Sequence, residues 1–254
     1  MATETEWMRL TAEELRARAA EDALVIVPVA SLEQHGPHMA TGVDIVLAGG
    51  VAARTAARIA GAGLPVVVTP TVWSGLAEHH MDFGGTVTLD YESFAGVLRG
   101  IVKSAARHGF RRVMLLNGHG GNAEAVMVAA SEFTIEFGIK VAAGTYWHMV
   151  PEVIAPILER QHGLMHACEA ETSMMLALRP DSVRPDRLPE AHGPMSTRVE
   201  GQPTGLALRR SFRAISESGV IGDARAATAG KGEALLAAIS GRIAELLLNP
   251  KLWA

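Results

Sequence analysis

The chain has 254 residues, 48 % hydrophobic and 20 % charged, with a formal net charge of −4, which offers no electrostatic footprint for nucleic acid or an anionic membrane surface. No apolar run approaches the ~20 residues that span a bilayer, and the single cysteine, Cys168, excludes an intrachain disulfide and suits a reducing compartment. Glu4, Glu6, Glu13 and Glu14 stand where a signal peptide would be basic and then apolar, so a cytoplasmic protein of one α/β domain, residues 1–254, is expected.

Along the chain, Thr11 and Glu14 have capping-box spacing and open a short polar helix. Residues 23–29 (ALVIVPV) read as a buried strand, followed by a loop with Gly and Pro. Residues 45–60 have helical periodicity, with Arg54 and Arg58 four apart on a solvent-facing side. Residues 65–70 (PVVVTP) read as a second strand, and 91–108 as a helix stopped by Gly109. A third strand over 111–116 leads into Asn117-Gly118-His119-Gly120-Gly121-Asn122, where Asn122 can cap a helix that runs to Phe137 before Gly138. A fourth strand covers 139–146, and a helix near 167–178 ends before Pro180. Residues 180–230 are weakly periodic and rich in Gly, Pro and Ser; a last helix begins near Gly232 and stops before Pro250. Strands alternating with helices predict a mostly parallel sheet covered on both faces. Ligands then bind beyond the carboxyl ends of the strands.

Three polar clusters sit near such ends. Glu33 and His35, two apart, point the same way in an extended segment. With Asp44 they offer carboxylate oxygen and imidazole nitrogen, a donor set for Zn²⁺, Mn²⁺ or Fe²⁺; Asp44 equally fits a helix cap. His38 reads as a supporting or exposed residue. His119 stands among glycines that permit close approach of backbone to a ligand, so it reads as a metal ligand, with Gly120 and Gly121 presenting N–H groups to substrate, or as an exposed histidine in a tight turn. His166 and Glu169, three apart, share a helix face, whereas Glu171 points about 160° away from Glu169; acidic residues in a first turn also complement the helix dipole. Trp73, Glu78, His79 and His80 lie in a loop that either lines a pocket or faces solvent. Neither a P-loop nor GxGxxG is present, which disfavours a nucleotide site.

Glu33-Gln34-His35-Gly36-Pro37-His38, Asp44, the 117–122 motif and residues 166–173 resemble the creatininase (creatinine amidohydrolase) family in order and spacing, as does Gly219-Val220-Ile221-Gly222-Asp223. The resemblance implies a three-layer αβα sandwich, a binuclear metal centre and a homohexamer. It implies metal ligands at Glu33, His35, Asp44 and His119, with Asp44 bridging. His166 and Glu171 would serve catalysis, and Gly120, Gly121 and Trp147 the substrate. Creatininase has a glutamate ligand where this chain has Gly121, and an apolar residue where it has Glu169; Glu169 is therefore expected to supply the missing carboxylate. Trp147 resembles one of two substrate-facing tryptophans; His162 falls near the place of the other. The expected activity is hydrolysis of a small amide or cyclic amide by metal-activated water. Formamide hydrolysis and peptide maturation are the alternatives within the family, and a metal- or ligand-binding protein is the non-enzymatic one.

Overall fold

The computed structural model describes residues 3–203 and 206–254. Helix α1 (Ala12–Ala20) opens with both hydrogen bonds of the capping box between Thr11 and Glu14. Strand β1 (Leu24–Val29) leads to helix α2 (Val43–Gly61), strand β2 (Val66–Val68), helix α3 (Tyr91–Arg107) and strand β3 (Arg112–Asn117). Helix α4 (Ala123–Phe137), ended by Gly138 in a left-handed cap, connects β3 to strand β4 (Lys140–Thr145). Two single-turn helices follow, α5 (Tyr146–Met149) and α6 (Pro151–Ile154), then helices α7 (Glu169–Leu178) and α8 (Ala229–Leu248).

All strand pairs are parallel, in the order β2-β1-β3-β4. Every residue of β1 is buried, as a strand covered on both faces requires. Leu24 and Ile26 pack with α2, α7 and α8; Val25, Val27 and Val29 pack on the other face with α3 and α4. Three layers result. From β1 the chain moves outward to β2, crosses back to β3 and continues to β4. The connections from neighbouring β1 and β3 thus leave in opposite directions, which opens a crevice above their carboxyl ends. The segments carrying Glu33, His35 and His119 leave the sheet there.

One local expectation gives way to tertiary contacts, and another is met but gains partners. Arg54 and Arg58 are not simply solvated: they reach α8 at Glu233 and at Ser240 and the Ala237 carbonyl. Asn122 stands at the head of α4 without capping it. Its side chain instead accepts from Leu76 N at 2.9 Å and donates to the Ala30 carbonyl at 3.1 Å, tying the loop after β2 to the end of β1.

Helix α8 packs on α7 so closely that a methyl group at Gly232 would run into the Ser173 carbonyl, whereas one at Gly230 would meet only Thr228 Oγ1 at 4.0 Å, an ordinary contact. Gly232→Ala is expected to lower stability by about 1–3 kcal/mol through overpacking, and Gly230→Ala to be neutral or slightly stabilising. Thermal unfolding of the two variants checks this; equal melting temperatures would contradict the packing.

Candidate metal centre

Above the crevice, side chains from five segments converge, nearly all fully buried. His35 Nε2 lies 3.2 Å from Asp44 Oδ1 and 3.9 Å from Glu171 Oε2. His119 Nδ1 lies 3.1 Å from both Glu33 Oε2 and Asp44 Oδ2. His166 Nδ1 is 3.5 Å and His80 Nε2 3.4 Å from Glu33 Oε1. Donor atoms at about 2.1 Å from a common cation stand about 3.0–3.4 Å apart in octahedral or tetrahedral arrangements, and most of these separations match. Three overlapping groups could hold an ion: Glu33–His35–Asp44, Glu33–His80–His166 and His35–His166–Glu171.

The ring tautomers follow from the outer hydrogen bonds, since a carbonyl oxygen only accepts. His35 donates Nδ1–H to the Glu33 carbonyl at 3.1 Å, His119 donates Nε2–H to the Leu76 carbonyl at 3.2 Å, and His166 donates Nε2–H to the Gln34 carbonyl at 2.8 Å. Each ring therefore turns an unprotonated nitrogen to the cluster when neutral, the arrangement by which backbone carbonyls orient histidine ligands. His80 is different. The Gln34 amide lies 3.0 Å from His80 Nδ1 and 3.1 Å from the Gly219 carbonyl. Its two hydrogens fill those positions, so His80 Nε2 carries hydrogen towards Glu33 and steadies that carboxylate. Among the described residues, Glu33 Oε2, Asp44 Oδ2 and His35 Nε2 are buried with no hydrogen-bond partner, although each has neighbours of ligand type. A cation fits that set.

The local sequence explains how the rings are held. Asn117 grips the main chain of His119, accepting from its N at 3.1 Å and donating to its O at 2.6 Å. Asn122 fixes Leu76, whose carbonyl sets the His119 tautomer. A side chain at Gly121 would collide with the His119 ring and the Leu76 carbonyl. Asp44 sits in the first turn of α2, where Gly42 is the cap, and is buried; its role in the cluster replaces the capping alternative. Ala167, with φ of 53°, takes the left-handed conformation that costs a non-glycine residue about 1–2 kcal/mol. Its N–H then donates to Glu171 Oε2 at 2.5 Å, which aims Glu171 inward.

Glu169 does not supply the expected fifth carboxylate. It is fully buried, but it accepts from Lys231 Nζ at 2.6 Å and from the main-chain N–H groups of Glu159 and Arg160. As the first residue of α7 it faces α8, and two positions later Glu171 faces the cluster, as the helical rotation requires. His38 is buried against Thr172 Oγ1 at 2.8 Å. In the loop after β2, Glu78 and Trp73 are exposed while His80 is buried and His79 lines the cavity. His80 is the participant that sequence left unresolved; paired histidines beyond a strand end were its one signal.

A cavity of about 400 Å³ opens over the cluster, lined by Gly118, Gly120, Gly121, Trp147, Met165 and Phe212 among others. His80 stacks on Phe212 with ring centroids 4.1 Å apart, and His166 meets the same ring edge-on at 4.7 Å. Burial and three neighbouring histidines hold His166 well below its usual range, so it is neutral. Burial drives the Glu171 carboxyl up to about 8. For His35, burial opposes charge but Asp44, Glu171 and Glu33 raise the ring to about 9.

Residues 8–247 match the model of the family described as creatininase: creatinine amidohydrolase. A creatinine amidohydrolase of Pseudomonas putida is 38 % identical over 195 residues, 70 % of this chain and 74 % of that protein. A mycofactocin precursor peptide peptidase of Mycolicibacterium smegmatis is 33 % identical over 216 residues, 84 % and 80 % of the two chains. A manganese form of creatininase superposes with a TM-score of 0.82 at 30 % identity, covering 96 % of this chain and 98 % of that one.

The raised His35 ring has a stability consequence. Its folded value lies above the ordinary 6.5, so its contribution is complete below that pH and is lost as pH rises through about 9. Metal-stripped protein should therefore lose melting temperature between pH 6.5 and 9, and His35→Asn should flatten that dependence. A pH-independent melting temperature in stripped protein would contradict the assignment.

Proposed function

The chain belongs to the creatininase family and is a hydrolase of carbon–nitrogen bonds, and from that premise we propose that it cleaves a small amide or cyclic amide with water activated by two divalent cations. The observation that carries this is the set of three imidazoles whose outer N–H groups are spent on backbone carbonyls. Their inner nitrogens meet three buried carboxylates. Glu33, His35, Asp44, His119 and Glu171 would hold the cations. Asp44 turns one oxygen to His35 and the other to His119, the disposition of a bridging carboxylate. Mixed nitrogen and oxygen donors suit Zn²⁺ or Mn²⁺, with Fe²⁺ also accommodated.

When bound, such cations supply Lewis acidity and a water whose pKa falls towards neutrality. The protein does the rest. His80 and Gln34 hold Glu33 in place. Gly120 and Gly121 let a substrate carbonyl approach the backbone, where N–H donors stabilise developing oxyanion charge. Trp147 and Phe212 wall the cavity and exclude water from a bound amide. His166, neutral and facing the cavity, takes up a proton at Nδ1 and returns it to the leaving nitrogen; its Nε2–H stays on the Gln34 carbonyl throughout.

A peptide-cleaving reading draws on the mycofactocin peptidase relative and on the volume of the cavity; formamide hydrolysis shares the same chemistry. We read the chain as one cytoplasmic domain, residues 1–254, in a homo-oligomer, hexameric as in the family it resembles.

Creatinine, hydantoin, N-formyl amino acids and short peptides assayed together identify the reaction. Exhaustive chelation should abolish hydrolysis, reloading with Zn²⁺ or Mn²⁺ should restore it, and His119→Ala should lower kcat/KM by about 100-fold or more, at least the loss that outer partners of metal ligands cause. Glu171→Gln should reduce bound metal, while Glu169→Gln should keep metal and lose melting temperature. Full activity in stripped protein, or an emptied site in Glu169→Gln alone, would overturn the proposal.

A further inference from the structure

Charge is segregated within the cavity. Its carboxylates, Glu33, Asp44 and Glu171, all belong to the buried cluster. The other ionised side chains on its wall, among the described residues, are Arg198, Arg209 and Arg210. The three arginines come from one excursion between α7 and α8, at two places along it. Trp147, Leu164, Met165 and Phe212 give the same cavity an apolar part of its wall.

Arg209 and Arg210 keep donors in reserve. Arg209 Nη2 is 3.2 Å from Glu124 Oε2 in a pair whose side chains are 59 % and 77 % exposed, the kind of contact worth little in water. Arg210 Nη2 donates to the Ala214 carbonyl at 2.9 Å. Each guanidinium has five N–H donors, and its planar fork matches a carboxylate in two-point contact. A neutral ring the size of creatinine has no group for such a wall. A cavity of about 400 Å³ falls within the range of about 300–1,000 Å³ that buries larger ligands.

We propose that the substrate is an amide whose apolar body ends in a free carboxylate, with Arg209 and Arg210 as the residues that select it. The inference rests on the metal-hydrolase reading of the same site. The amide carbonyl lies over the cluster, the body lies along Trp147 and Met165, and the carboxylate meets the arginines.

The test needs no knowledge of the substrate. Monohydroxamates of succinic, adipic and suberic acid carry a metal-binding head, a spacer and a carboxylate; the corresponding carboxamides lack only the charge. Titration calorimetry on metal-loaded protein should show one spacer length at which the acid binds about tenfold or more tightly than its carboxamide, the scale of a charge-assisted contact. The difference should shrink with added salt. In Arg209→Gln/Arg210→Gln it should fall below about threefold while the carboxamide binds as before, which also shows that the variant is folded. Equal affinity of acid and carboxamide at every length, or an advantage that survives the double substitution, overturns the inference and leaves the hydrolase reading standing. Failure of every hydroxamate to bind the loaded protein overturns both.

Discussion

The structure of the site depends on three hydrogen bonds from imidazole to main-chain carbonyl: His35 to Glu33, His119 to Leu76 and His166 to Gln34. Each fixes a ring and a tautomer together, and each uses a carbonyl that is itself rigid. Glu33 and Gln34 leave the end of β1, the central strand most enclosed by the core. Leu76 is held by Asn122, which is also bonded to Ala30 at the same strand end. The doubly wound sheet contributes more than a platform. It brings strand ends side by side, so that Asn122 after β3 can hold Leu76 after β2 and Ala30 after β1, and the Leu76 carbonyl in turn sets the ring of His119.

Burial gives these bonds their consequence. Three carboxylates and three imidazoles share a space from which water is nearly excluded, and an uncompensated buried charge costs several kcal/mol. Without a cation, proton uptake by His35 and His119 balances Glu33 and Asp44: burial disfavours both charged rings, yet the carboxylates raise them. Asp44 is held below its usual range because His35 and His119 outweigh its burial, whereas for Glu33 burial wins and raises it. The same donors suit cations without those protons, so metal uptake releases protons and strengthens as pH rises.

Much of this was legible in the chain. Strand and helix positions came from apolar runs bounded by Gly and Pro, and Glu33, His35, Asp44, His119, His166 and Glu171 stood out as donor types beyond strand ends. What failed were choices decided by long-range contacts. Glu169 and Glu171 are equivalent in composition, and the helical rotation shows only that they diverge. Which faces the cluster depends on Lys231, sixty-two residues away on α8. Asn122 has the look of a cap because capping is local, while its actual partners, Leu76 and Ala30, belong to other strand ends. His80 hides in a loop whose fold is set by Gln34 and Phe212. Burial separates it from exposed Glu78, and nothing in the sequence of the loop marks which of Trp73, Glu78, His79 and His80 is buried.

Backbone carbonyls leave His35 Nε2, His119 Nδ1 and His166 Nδ1 facing a metal-binding cluster closed by Glu171. Anomalous diffraction from crystals of metal-loaded protein tests it most directly. Two anomalous peaks are expected within the cluster, with His35 coordinated through Nε2, His119 through Nδ1, and Glu171 rather than Glu169 in contact. No bound metal, coordination through the opposite ring nitrogens, or a cation held by Glu169 would contradict it.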